Sequence, residues 1–157
     1  MKQVITITLV LLLSGAIASM AQAETDEDRA RDLQKERTKL ERESDPVDRA
    51  KIGIKISEIL LEDVGEAVRE GDFIEMEEQL AEYAATIHYA HEALENSGRN
   101  AAKKSDGFRE LEIALRKHVR KFEDFARALS LQRRVPLEKT KDLARAVQEK
   151  LLKALFP

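Results

Sequence analysis

Four potential metal ligands lie within the stretch IHYAHEALE, which covers residues 87–95. They are His88, His91, Glu92 and Glu95, and borderline divalent metals accept both imidazole and carboxylate ligands. Because His88 and His91 are three positions apart, a helix would let them chelate one ion together, with Glu95 as a further ligand. One hypothesis is therefore a metal- or haem-binding helical bundle that uses His88 and His91.

The same stretch also fits the polar edge of a packed helix. With Ile87 at the centre of the buried face, His91 lies about 40° from that centre, Glu95 about 80° and His88 about 100°. Two histidines and one carboxylate are one ligand short of a structural zinc site, and a histidine pair is too short a motif to be specific. We favour this structural interpretation and expect no cofactor.

Known catalytic signatures are missing from the sequence. The chain has no cysteine, which excludes covalent haem attachment and thiolate chemistry. None of its three histidines follows a glutamate by three positions, as the di-iron bundle pattern requires. Nucleophilic triads, glycine-rich phosphate loops and zinc-hydrolase motifs are also missing. We therefore predict that the protein is not an enzyme.

A second candidate site is a cluster of basic residues. Residues 57–98 contain 12 acidic side chains and one arginine, whereas residues 99–134 contain 11 Lys and Arg and 5 acids. Either these helices complement each other along their flanks, or the basic one binds an anionic partner such as phospholipid headgroups or an acidic protein. The candidate surface consists of Arg116, Lys117, Arg120, Lys121, Arg127, Arg133 and Arg134.

The N-terminal residues 1–23 have the pattern of a cleaved signal peptide. Lys2 precedes the apolar run VITITLVLLL, and a tail of small residues ends in Ala21-Gln22-Ala23, an A-x-A cleavage site. We predict cleavage after Ala23, a periplasmic or secreted location, and no transmembrane segment in the mature chain. The alternative is an uncleaved anchor, since the uncharged residues 3–23 are just long enough to span a bilayer.

The elements that must position these residues are helices. Hydrophobic residues make up 43% of the chain, with only 6 Gly and 3 Pro, which favours an all-α fold. Residues 24–44 are predicted to form a charged helical arm and residues 45–157 a helical bundle domain. Apolar stripes predict four core helices, and an up-and-down four-helix bundle is their simplest arrangement. The predicted helices cover about residues 46–70, 73–96, 106–132 and 136–155.

Local signals refine the helix ends and contacts. Gly71 and Asp72 are suited to end one helix and begin the next, with Glu75 completing a capping box, so these two helices should pack antiparallel. Ser105 or Asp106 is predicted to cap the third helix. Gly53, inside the first core helix, is explained if another helix crosses closely there. The last helix is predicted to bury Leu143, Val147, Leu151 and Leu155.

His118 lies in the middle of the apolar stripe of the third core helix and is predicted to be buried. If that helix runs antiparallel to the second, with Leu94 level with Phe108, His118 faces Tyr83 and lies about 10 Å from the level of His91. We expect a hydrogen bond to the Tyr83 hydroxyl and a pKa below the ordinary histidine value, because burial disfavours the imidazolium.

These patterns predict an exported, non-enzymatic helical interaction or scaffold protein. Its partner would be another protein or the anionic envelope surface, and self-association into a homo-oligomer stays open. Nucleic acid is not an expected partner, because the protein is predicted to be exported and has a net charge of −3.

Overall fold

The computed structural model describes residues 26–157, and the regular structure within this range is helical. Residues 26–42 form α1. Four longer helices follow: α2 (Pro46–Glu70), α3 (Phe73–Glu95), α4 (Phe108–Ala128) and α5 (Arg134–Leu155). The predicted all-α class is confirmed. The predicted signal peptide lies outside the described residues.

Backbone contacts divide the described residues into two units, residues 26–35 and 36–157. In the first unit, Arg31 forms exposed ion pairs with Glu27 and Asp28 one helical turn away. Such pairs add only about 0.3–0.5 kcal/mol each. The second unit holds the helical bundle, and its first helical residues are tied to α3 by an ion pair between Arg37 and Glu82.

The ends of α2 and α3 follow the sequence signals closely. The Asp45 carboxylate accepts hydrogen bonds from the backbone N–H groups of Val47 and Asp48, with Pro46 in the first helical position. Gly71 ends α2 in the left-handed region at φ +75°, and Asp72 caps α3 by accepting from the Glu75 N–H. The reciprocal half of the predicted capping box is not formed: the Asp72 N–H donates to the Ala67 carbonyl, and the Glu75 carboxylate accepts from Gln79.

The limits of α4 and α5 differ from the prediction. The N-cap of α4 is Gly107 at φ +82°, not Ser105 or Asp106, and its N–H donates to the Glu110 carboxylate at 2.7 Å. Glycine is favoured at this position by its positive φ, and a Cβ there would also come within 2.7 Å of the Leu94 side-chain end. Helix α4 stops at Ala128, and α5 starts ahead of its proline, since proline is tolerated in a first turn.

Helices α2 to α5 pack pairwise into one bundle. Helix α2 packs on α3 and on α4, and α5 packs on α4 and on α3. Gly65 of α2 lies against the ring of Phe125, and Val47 lies beside Gly107, so α2 and α4 run in the same direction. Helices α3 and α4 lie across the core from each other and meet through large side chains.

The expected close crossing at Gly53 is present. A Cβ on Gly53 would lie 3.0 Å from the Cβ of Ala90, which is tighter than an ordinary van der Waals contact, so α2 and α3 approach closely here. The loss of helix propensity at Gly53, about 1 kcal/mol relative to alanine, is compensated by this contact.

The buried face of α5 differs from the predicted one. Leu137, Ala144, Val147 and Leu151 are buried, whereas the predicted Leu143 and Leu155 are only half-buried. Leu137, Ala144 and Leu151 repeat every seven residues along one face, and the small Ala144 lets a neighbouring helix approach. The prediction followed the large side chains Leu143 and Leu155 and therefore missed the buried Ala144.

Candidate functional site

The two histidines of α3 occupy different environments. The side chain of His88 is 66% exposed, and its Nε2 lies 3.2 Å from Glu92 Oε1. His91 is buried, and its Nδ1 lies 3.4 Å from Glu95 Oε2. Each imidazole therefore faces the carboxylate one turn further along its own helix. The arrangement follows from the i, i+4 spacing.

A metal site would need a further ligand that converges on His88 and His91. Within residues 26–157, no group of three or more His, Asp and Glu side chains is placed to hold a metal ion. Burial lowers the pKa of His91, Glu95 opposes this shift, and Lys150 acts in the same direction as burial. The candidate ligands His88, His91 and Glu95 thus lie along one edge of α3, where each histidine contacts a different carboxylate.

His118 of α4 lies in the core, as the helix register predicts. Its Nδ1 is 3.0 Å from the Tyr83 hydroxyl, and both side chains are buried. The Tyr83 ring also packs edge-on against Phe122. Burial, together with the nearby Lys121 and Lys117, lowers the pKa of His118 to about 4. The same burial raises the pKa of Tyr83, so this pair is a neutral hydrogen bond inside the core.

Four arginines of the predicted basic surface are already engaged. Arg116 lies 3.6 Å from Glu112, and Arg127 lies 3.1 Å from Asp124, each one turn away on α4. Arg133 places its guanidinium 4.3 Å from the centre of the Phe73 ring, and Arg134 donates to the Leu129 carbonyl. Arg133 and Arg134 therefore belong to the connection between α4 and α5.

Three cations in the middle of α4 are exposed and unpaired. In the described part of the chain, no acidic side chain comes within ion-pair distance of Lys117, Arg120 or Lys121. Positions three and four apart are neighbours on a helix surface, so these side chains form one patch. We call Lys117, Arg120 and Lys121 the α4 basic face.

Comparison with known proteins gives no relative for this chain. It matches no protein-family model, no curated protein and no solved structure.

The structure adds two observations on possible sites. None of the described helices is both long and apolar enough to cross a bilayer. Sequence reasoning missed Arg109, an exposed arginine in the first turn of α4. A signal was available, because Arg109 lies seven positions before Arg116 and hence on the same side of the helix.

Proposed function

We propose that the protein is an exported, non-enzymatic interaction or scaffold protein whose α4 basic face binds an acidic protein partner or the anionic envelope surface. A cleaved signal peptide, a charged helical arm and a four-helix bundle complete the proposed architecture. The observation that carries the proposal is the group of three neighbouring cations, Lys117, Arg120 and Lys121, that lack an acidic partner in the described part of the chain.

Unpaired surface cations favour binding for a simple energetic reason. A partner that approaches Lys117, Arg120 and Lys121 does not have to break existing ion pairs, as it would at Arg116 or Arg127. The acidic residues of α2 and α3 repel an anionic partner, so they favour the approach to α4. Such an attraction is screened by salt over about 8 Å at physiological ionic strength.

The decisive experiment reverses the α4 basic face. The variant Lys117→Glu, Arg120→Glu, Lys121→Glu should bind envelope fractions or anionic vesicles roughly 100-fold more weakly, because each surface cation contributes about 1 kcal/mol near an anionic surface. Co-sedimentation with anionic and with zwitterionic vesicles measures membrane binding, and capture from the envelope fraction measures a protein partner.

A matched control separates the site from net charge. The triple variant Lys55→Glu, Lys139→Glu, Lys150→Glu changes the charge equally at exposed lysines outside α4. It should bind like the original protein. An equal loss of binding affinity in both triple variants would contradict a role for the α4 basic face. So would an affinity that does not change with salt concentration.

Export is tested separately. Intact-mass measurement of the protein from its native host should give a chain that begins at Glu24, because signal peptidase cleaves after the small residues of the A-x-A site. Replacing Ala21 and Ala23 with bulky residues should retain the precursor in the membrane. A native chain that still carries residues 1–23 would contradict the proposed location.

A further inference from the structure

A groove opens at the end of the bundle where α4 begins and α5 ends. It has a volume of about 550 Å³, and its walls come from the connection between α3 and α4, the first turns of α4 and the last turn of α5. This volume is within the range of small-molecule sites, about 300–1,000 Å³. The groove lies beyond the α4 basic face and is a separate feature.

One wall of the groove is apolar and incompletely covered. Ile113 is half-buried, Leu152 is 39% exposed and Phe156 is 76% exposed. Large apolar side chains that line a concave site gain free energy when a ligand removes them from water. The uncovered leucine and phenylalanine therefore favour an apolar occupant.

The α4 wall of the groove carries, beside Ile113, three charged side chains. Glu112 is buried, accepts a hydrogen bond from Gln148 at 2.9 Å and lies 3.6 Å from Arg116. Arg109 is exposed, and the described part of the chain gives it no acidic partner. The two arginines exceed the one carboxylate by a single positive charge. A ligand with one negative charge would balance this wall.

We propose that this groove binds a single-chain amphiphile with one anionic head group, of the long-chain fatty acid class. The carboxylate lies at Arg109, and the alkyl chain covers Ile113, Leu152 and Phe156. An extended peptide fits less well, because its backbone N–H and C=O groups need partners. The polar side chains of the lining are Ser105 and the three charged residues.

Titration of the purified protein with dodecanoate, below its micelle concentration, tests the proposal by calorimetry and methyl NMR. Dodecanoate should bind at one site and shift the methyl signals of Ile113 and Leu152. Dodecanol and dodecyltrimethylammonium, which share the chain but not the charge, should bind at least about tenfold more weakly, the usual effect of one charge-assisted hydrogen bond.

Two variants and one control locate the site. Arg109→Gln should weaken dodecanoate binding about tenfold. Leu152→Asn should weaken dodecanoate and dodecanol alike, since it alters only the apolar wall. Arg127→Gln, on the last turn of α4, should bind dodecanoate normally. Because neither Arg109 nor Leu152 belongs to the α4 basic face, these results are independent of the proposed function.

Several outcomes would overturn the amphiphile site. They are absence of dodecanoate binding, equal binding of the neutral and cationic analogues, and unchanged affinity in Arg109→Gln. Binding of an acidic, apolar peptide without binding of dodecanoate would also overturn it, because the groove would then be a protein-docking site.

Discussion

The His118→Phe variant should keep its stability between pH 6.5 and pH 4, where the original protein progressively loses it. His118 is buried beside Tyr83, and its pKa is lowered from 6.5 to about 4, first by desolvation and then by Lys121 and Lys117. The unfolded chain therefore binds a proton in this range that the folded protein rejects. By linkage, the effect approaches 3 kcal/mol once the pH is below the folded pKa.

The sign of this effect follows from the depressed pKa. The stabilising contribution of neutral His118 is fully present above pH 6.5 and is lost as the pH falls through this range toward 4. The phenylalanine side chain does not titrate, and it fills a volume similar to that of histidine. At neutral pH the variant should be about 1–3 kcal/mol less stable, because the Tyr83 hydroxyl loses its partner in the core.

Acid and denaturant unfolding, followed by circular dichroism from pH 7 to pH 3, measures both effects. His88→Gln is the matched control, because His88 is exposed on α3, and its acid profile should follow that of the original protein. Tyr83→Phe should lower stability at all pH values but keep the pH dependence. An NMR titration that gave His118 a pKa at or above 6.5 would contradict the explanation.

Gly53→Leu should destabilise the bundle by about 3 kcal/mol, the upper end for overpacked sites. The Cβ alone would lie 3.0 Å from the Cβ of Ala90 and 3.8 Å from the Thr86 carbonyl oxygen. Both atoms are fixed to the α3 backbone, so neither can move unless α3 moves. The leucine side chain beyond its Cβ would therefore force α2 and α3 apart. Helix propensity alone would make Gly53→Leu more stable by almost 1 kcal/mol. A net loss of stability must therefore come from the close crossing of α2 and α3.

Urea unfolding measures this change in the free energy of unfolding. Glu58→Leu introduces the same side chain at an exposed position of α2 and should leave stability within about 0.5 kcal/mol of the original. Adding Ala90→Gly to Gly53→Leu should recover part of the loss, because it removes the atom in the closest contact. If Gly53→Leu is as stable as Glu58→Leu, the close crossing of α2 and α3 is wrong.

The contacts predicted from sequence were those that follow from helical regularity. The contact between Tyr83 and His118 was predicted from the helical rise alone, once Leu94 was placed level with Phe108. The close crossing of α2 and α3 was predicted from the presence of Gly53 inside a helix. Both are present. Helix ends at Gly71 and Asp72 were also predicted, because caps depend on local backbone groups.

The features that could not be predicted from the sequence depend on packing between segments that are distant in the chain. Gly107 lies against the Leu94 side chain of α3, and Arg133 lies over the Phe73 ring on another helix. Which cations of α4 are unpaired depends on such partners as well. The seven predicted basic residues therefore divided into three unpaired and four engaged side chains only in the structure.

The order in which the helices pack also bears on how the chain folds. Helices α2 and α3 form one hairpin, α4 and α5 form another, and the hairpins meet along α2 with α4 and along α3 with α5. Pairing within a hairpin joins residues that are close in sequence, which closes small loops at little entropic cost. Docking requires residues 96–107 to bridge the two hairpins first. We therefore expect the main kinetic barrier at docking, with each hairpin opening as a cooperative unit.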